Sequence, residues 1–237
     1  MPLLYLSQCG STQDELPKFI QSSSEDLFAV YTFDQTNGKG QYGNSWETSV
    51  KKNIAFSVAV AADEIACSDH LLNYHTAGVF ADFLANLTCK EVYLKWPNDI
   101  IVKGKKVAGM LIEKKTVSGK AYFIIGIGVN VLQENFDHLP KAGSILTQAG
   151  ISFNLERFAE LLYAYLLQNL LRHSADAQVL DDFNNRLFRK DQVATFEIKH
   201  IRQNGIIRKA DEQGLLWIEM EGKGLQKFYH KEVDLLY

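Results

Sequence analysis

The stretch Gly38-Lys39-Gly40-Gln41-Tyr42-Gly43 does most to restrict what this chain can become, because of what stands on either side of it. Residues 28–33 are aromatic and β-branched and predict a strand, and residues 54–61 predict a second, well-buried one. G-x-G-x-x-G after a strand is a dinucleotide-binding signature only if a helix opens at the third glycine and aims its dipole at a pyrophosphate. Here Asn44-Ser45-Trp46-Glu47-Thr48-Ser49 leads through a polar stretch into the next strand, so the doubly wound reading fails on context. A P-loop needs a lysine where Asn44 stands, and a protein kinase needs H-R-D and D-F-G elements that the chain lacks. A strand–loop–strand unit remains, with three glycines that leave backbone N–H groups free to approach an anion and with Lys39 adding positive charge.

The rest of the chain predicts an α+β fold with a mixed sheet. Thr12 with Glu15 fits a capping box, so a helix is expected there, weakened or bent by Pro17. Leu72, Val79, Phe80, Phe83, Leu84 and Leu87 fall at helical spacing, with Ser68 placed to cap the start. Residues 92–95 read as a strand stopped by Pro97. Residues 100–102 and 107–112 flank Lys103-Gly104-Lys105 as a hairpin, and residues 121–131 return as another strand. Asn154 is expected to cap a long amphipathic helix running towards His173, and a further helix covers roughly 176–188. Beyond Phe188 only short strands are expected, at 193–198, 206–210, 215–220 and 225–229, which suggests a small β-barrel. The expected division is therefore a larger domain over 1–188 and a β domain over 189–237.

At 237 residues the chain can bury a core without disulfide staples. Its net charge of −3 argues against a dedicated nucleic-acid binder. Cys9, Cys67 and Cys89 show no CxxC spacing and are expected to be free thiols in a reducing compartment. The start has no basic leader, and the most apolar window, 54–62, is too short to span a bilayer. The expectation is a cytoplasmic protein without membrane contact. None of the six histidines forms H-E-x-x-H or stands near a cysteine at zinc-ligand spacing, and no Gly-x-Ser-x-Gly elbow occurs. No zinc, haem or flavin is expected. Lys103, Lys105 and Lys106 read as a solvated basic turn. The nine Lys and Arg residues from Arg189 onward face eight Asp and Glu, so the β domain does not look like an RNA-binding barrel.

Lys95-Trp96-Pro97-Asn98-Asp99-Ile100 is the most specific stretch. Proline fixes the backbone just after the lysine, and a lysine at a strand end is held more firmly than one on a loop. In order along the chain come Ser11-Thr12-Gln13, Gln35 with Gly38-Lys39-Gly40, Trp46-Glu47, the Lys95 block, Val107-Ala108-Gly109 and Gly126-Ile127-Gly128-Val129-Asn130. Their order and spacing resemble the catalytic domain of biotin protein ligases along nearly its whole length. From about Gln192 the chain is similar to the SH3-like domain that follows it in that family.

The resemblance implies a mixed sheet of the class II aminoacyl-tRNA synthetase type and a ligase that makes biotinyl-adenylate from biotin and ATP. Biotin would then pass to a lysine on a biotin carboxyl carrier domain of a biotin-dependent carboxylase. It implies that Ser11, Thr12, Gln13 and Gln35 line the biotin pocket with Gly38 and Gly109, and that Lys39, Gly40 and Gln41 lie on the loop over biotin and the adenylate. It places Trp46 near the adenine, Asn130 at the adenine edge, and Lys95 on substrate carboxyl and phosphate oxygens, with Lys95 and Lys39 the expected catalytic pair. Magnesium is expected with ATP, and Asp99 is its candidate ligand. Family loops often read Gly-Arg-Gly-Arg-Arg-Gly. Here Lys39, Gln41 and Tyr42 replace the arginines, which predicts a weaker hold on the adenylate.

Charge explains why such a site needs lysines. Joining a carboxylate to an α-phosphate brings two anions together, and fixed cations with backbone donors must offset that repulsion. Rival readings are a lipoate or octanoate ligase on the same scaffold and a non-catalytic biotin or nucleotide sensor. A DNA-binding repressor is not expected, since the Ser11-Thr12 element begins too early to leave room for a helix-turn-helix before it. Monomer and homodimer both remain open.

Overall fold

The computed structural model describes residues 3–20, 27–69, 71–172 and 175–237. Seven strands form a first sheet: β1 (Leu3–Leu6), β2 (Leu27–Thr32), β3 (Asn53–Ala61), β4 (Val92–Lys95), β5 (Asp99–Val102), β6 (Lys105–Val117) and β7 (Lys120–Asn130). Their spatial order is β1-β2-β3-β7-β6-β5-β4. Only β1 and β2 pair in parallel, and every other neighbour is antiparallel, so the sheet is mixed as expected.

Strand periodicity decides which face carries chemistry. On β3, Ile54, Phe56, Val58 and Val60 enter the large core, and on β7 Ile125, Ile127 and Val129 join them. Helices α2 (Leu72–Thr88) and α4 (Leu155–Asn169) contribute to that core through Phe80, Phe83, Phe158 and Leu162. On the other face α1 (Thr12–Ile20) covers Val30, Ala59 and Ile124 with Leu16 and Ile20. Its first residues, Thr12 and Gln13, reach Ser57 and Gly126 on the same face, and a cavity opens beside them towards Gly128.

Several local expectations change. Thr12 is the first helical residue rather than a cap, and the Ser11 carbonyl accepts the Asp14 and Glu15 N–H groups at 3.0 Å each. Pro17 lies inside α1 without ending it, and the Gln13 carbonyl that it leaves unpaired accepts Lys115 Nζ at 3.3 Å. Ser68 does not cap α2; its carbonyl accepts the Leu71 and Leu72 N–H groups, and Leu71 takes the cap position. Asn154 does cap α4, its side chain accepting from Arg157 N. That helix ends at Asn169, and the expected terminus at His173 lies outside the described residues. The short helix α3 (Ile145–Ala149), closed by a Ser144–Thr147 capping box, was not foreseen. The β5–β6 turn is the expected hairpin: Lys103 and Gly104 both have positive φ (45° and 75°), as a two-residue loop of the right twist requires.

After α5 (Asp176–Asn185) come β8 (Val193–Ile198), β9 (Ile201–Ala210), β10 (Leu216–Met220), β11 (Gly224–Phe228) and β12 (Asp234–Leu236). They form a second, wholly antiparallel sheet in the order β11-β10-β9-β8-β12, around Phe196, Ile207 and Ile218. The segment between the sheets runs beside β4. Leu94 N–H donates to the Arg186 carbonyl (2.8 Å), and Phe188 N–H donates to the Leu94 carbonyl (2.9 Å). Trp96 Nε1 donates to the Gly214 carbonyl at 3.1 Å, a further tie between the two sheets. Among the described residues, no helix is long and apolar enough to cross a membrane.

Candidate active site

Ser11, just before α1, and Thr12 and Gln13 at its start bring three polar side chains to the face of the sheet that α1 covers. Ser11, Thr12 and Gln13 are each 3% exposed, so each needs a partner. Thr12 donates from its N–H (2.9 Å) and hydroxyl (3.3 Å) to Gln35 Oε1. The Ser57 hydroxyl lies 2.8 Å from Thr12 Oγ1 and 3.2 Å from Gln13 Oε1, and Gln13 Nε2 donates to the Ile124 carbonyl at 2.8 Å. Gln35, Thr12, Ser57 and Gln13 thus form one bonded chain across three elements, which fixes their rotamers before any ligand arrives.

Beside this chain the sheet is bare. Gly109 on β6 pairs with Gly128 on β7, and Gly126 lies two residues back. A Cβ on Gly128 would stand 2.3 Å from Trp46 Cε2, and one on Gly126 would stand 2.6 Å from Gln13 Oε1. The glycines are required because an indole and an amide lie directly on the strand backbone. Trp46 stands at the junction of two cavities of about 230 and 670 Å³ and lines both. The smaller is bounded by the Thr12–Ser57 chain, the glycine loop and Lys95; the larger lies towards Asn130 and the 133–142 segment. Trp46 Nε1 is buried without a partner.

Lys39 and Lys95, far apart in sequence, line the smaller cavity together. Lys95 faces Asp99 across the β4–β5 turn, Nζ to Oδ2 at 3.4 Å, and Lys106 holds the other oxygen at 2.6 Å. The Lys106 amine also stands 5.4 Å from the Trp46 ring centroid. Lys39 is paired with Asp14 at 2.7 Å, and that hydrogen bond raises its pKa above the ordinary lysine value. In this structure both oxygens of Asp99, the expected magnesium ligand, face ammonium groups. No cluster of three or more His, Cys, Asp or Glu suited to a metal occurs among the described residues.

The glycine loop is folded on itself rather than open. Gly40 N–H donates to the Asn44 carbonyl (2.7 Å), Trp46 N–H donates to the Gly38 carbonyl (2.9 Å), and Lys39 bridges Ser45. The Gly40 amide expected to be free for an anion is therefore committed to the loop's own turn. Gly38 is needed for close approach, since a Cβ there would stand 2.3 Å from the Trp46 carbonyl oxygen. Gln41 Oε1 is buried at the cavity with no partner.

The sequence model of the Biotin/lipoate A/B protein ligase family matches residues 6–130, more than half of the 237 residues. The chain belongs to that family. It is 27% identical to the biotin--[acetyl-CoA-carboxylase] ligase of Mycobacterium tuberculosis over 92% of this chain and 83% of that protein. It is also 27% identical to the bifunctional ligase/repressor BirA of Escherichia coli, over 79% of this chain but only 60% of that longer protein. Its fold is that of the biotin protein ligase from Aquifex aeolicus, solved in complex with biotin and ATP, with a TM-score of 0.78, 21% identity and 99% and 98% of the two chains covered. The Leishmania major biotin protein ligase solved with biotinyl-5-AMP superposes at a TM-score of 0.66, with 21% identity over 97% of this chain and 100% of that one.

In this biotin/lipoate ligase-family chain, Ser11, Thr12, Gln13, Gln35, Lys39, Gly40, Gln41, Trp46, Lys95, Asp99 and Gly109 all reach the smaller cavity. Asn130 stands apart on the larger one, 5% exposed, with Nδ2 donating to the Gly143 carbonyl at 3.0 Å. Gly38 does not line the smaller cavity itself and supports Gln35 and Trp46 from behind. Ser57, Lys106 and His230 are among the lining residues that were not foreseen. Ser57 was legible as the lone hydroxyl in an apolar strand. Lys106, read as part of a solvated turn, instead lines both cavities. His230 arrives from the second sheet and has no local signal at all.

Proposed function

We propose that this chain is an ATP-dependent, AMP-forming biotin ligase that activates biotin as biotinyl-5′-AMP and transfers it to a lysine of a biotin carboxyl carrier domain. The observation that carries this reading is the meeting of Lys39 and Lys95 on one cavity, with Trp46 dividing it from a second, larger one. Biotin's ureido ring needs both donors and acceptors, and the Gln35–Thr12–Ser57–Gln13 chain offers both at the end of a short pocket. A lipoyl or octanoyl chain carries no ureido N–H or carbonyl with which to pair with this polar wall. We assign the nucleotide base to the larger cavity, between Trp46 and Asn130.

In the first step the biotin carboxylate oxygen attacks the α-phosphorus and pyrophosphate leaves. In the second, the ε-amine of the acceptor lysine attacks the acyl carbon, AMP leaves with the bonding electrons, and the amine loses a proton. Lys95 would hold the carboxylate and α-phosphate together, while Lys106 holds the other oxygen of Asp99. At an effective dielectric near 20, a cation about 4 Å from an oxyanion contributes roughly 4 kcal/mol before desolvation costs. Holding both reactants in line can contribute roughly 7–11 kcal/mol more. Magnesium, which would neutralise the pyrophosphate oxygens, we assign to the nucleotide's own phosphates rather than to Asp99. Lys39 would share its three N–H donors between Asp14 and a substrate oxygen, or exchange one for the other.

Incubation of a carboxyl-carrier domain with ATP, magnesium and an equimolar mixture of biotin, lipoate and octanoate, followed by mass measurement of the carrier, tests the proposal. The expected result is one biotinyl addition on a lysine. Addition of lipoate or octanoate in preference to biotin, or no modification of the carrier, would refute it.

A further inference from the structure

The tip of the glycine loop does not rest on the sheet that carries it. Tyr42 has a left-handed backbone (φ 56°), which a non-glycine residue adopts only against its preference. That turn points the ring at the connection between β11 and β12. There it stacks on His230, with centroids 4.5 Å apart and planes at 19°. The neighbouring Lys231 donates from Nζ to the Tyr42 carbonyl oxygen at 2.8 Å and stands 5.8 Å from the same ring. Behind His230 lies Trp96, 5.8 Å away and tilted by 58°, itself anchored on the Gly214 carbonyl. His230 thus touches the loop tip on one side and the Lys95-Trp96 block on the other, and it lines the smaller cavity with Lys95.

Tyr42 is 60% exposed, so burial alone does not hold its ring in place. These directional contacts with the second sheet supply the hold. Resting on the ligase reading above, we propose that Tyr42, His230 and Lys231 form a clasp through which the second sheet holds the glycine loop closed over the acyl-adenylate, with Tyr42 and His230 as positioning residues for its retention. Where the loop lacks arginines that could grip phosphate, it is held from outside by an aromatic stack. The second sheet then acts on the reaction through loop closure.

Two measurements test the clasp. Amide hydrogen exchange of the ligand-free full chain reads closure without requiring any activity: His230→Ala and Tyr42→Ala are expected to speed exchange at the Gly40 and Trp46 amides, both bonded inside the loop. His230→Phe and Tyr42→Phe keep the stack and are expected to match the parent. The second measurement is the release rate of pre-formed biotinyl-adenylate from the same variants. Each alanine change is expected to accelerate release roughly three- to tenfold, the scale of one aromatic pair. Tyr42→Ala/His230→Ala is expected to be no faster than either single change, because both remove one contact. Unchanged exchange in the alanine variants, independent effects that multiply in the double variant, or a His230→Phe variant as leaky as His230→Ala would each overturn the clasp. A parent enzyme that forms no adenylate sinks the ligase reading instead, and the exchange result still judges the clasp.

Discussion

Gly128→Ala is the sharpest perturbation of the proposed site, because it adds one methyl group at a known place. Gly128 lies in a regular strand, where alanine is conformationally acceptable, so the effect is one of contact alone. The new Cβ would stand 2.3 Å from Trp46 Cε2, 2.6 Å from Nε1 and 2.7 Å from Cδ2, against ordinary contact from 3.4 Å upward, so the indole must rise by about 1 Å. Overpacking of this kind costs about 1–3 kcal/mol in a closed core. Here the low end applies, since the ring can move into the larger cavity and its Nε1 has no hydrogen bond to lose. Catalysis is more sensitive, because a misplacement of about 1 Å can cost about 10²-fold. Biotin-dependent pyrophosphate exchange should therefore show kcat/KM for ATP reduced by roughly 10²-fold, with a fall in Tm of only a few degrees. Gly109→Ala is the companion, since its nearest atoms lie at 3.2 Å and two of them are the flexible end of Lys106. It should change the same parameter by about threefold or less. A Gly128→Ala enzyme with the parent's kcat/KM for ATP, or equal losses in the two variants, would refute the placement of nucleotide against Trp46.

Lys95→Ala should reduce adenylate formation by about 10²-fold or more, the larger part of a charge contribution near 4 kcal/mol, as read by pyrophosphate exchange. A loss of only a fewfold would remove Lys95 from the reacting oxygens. Asp99→Asn should leave the magnesium concentration for half-maximal rate unchanged while altering KM for ATP, because the side chain balances Lys95 and Lys106; a raised magnesium requirement would restore it as a ligand. Burial pushes the Cys9 and Cys67 thiols up to about 11, so at pH 7.5 iodoacetamide should label exposed Cys89 first, by peptide mass mapping. The same shifts mean that the folded state keeps these protons longer than the unfolded one. Their contribution to stability is therefore full below about pH 9 and declines as the pH rises towards 11.

Much of this was legible because local chemistry and global fold agree. The glycine loop between two strands ruled out a helix-based phosphate site. The Lys103-Gly104 turn announced its hairpin through the positive φ that it requires. Asn154 marked its helix through its own side chain. The misreadings share a different cause. Thr12 looked like a cap, but its hydroxyl is drawn to Gln35 and Ser57, both distant in sequence. Ser68 bonds through its carbonyl, which carries no residue signature. Lys106 looked solvated because nothing nearby in sequence reveals that Asp99 and Trp46 face it. The Gly40 amide looked free because its acceptor is a carbonyl four residues on, which composition does not reveal. β12, three residues long, is too short to show a period and exists because β8 offers it an edge.

The run from Arg186 to Phe188 does more than connect. By bonding to Leu94 on both its N–H and its carbonyl, it occupies the side of β4 that would otherwise be the open margin of the seven-stranded sheet. An open margin of that kind is a template on which stray chains polymerise. Prising the second sheet away together with the run that leads into it would strip off this selvedge and bare the ribbon beneath, so mechanical loosening and loss of solubility should arrive as one event.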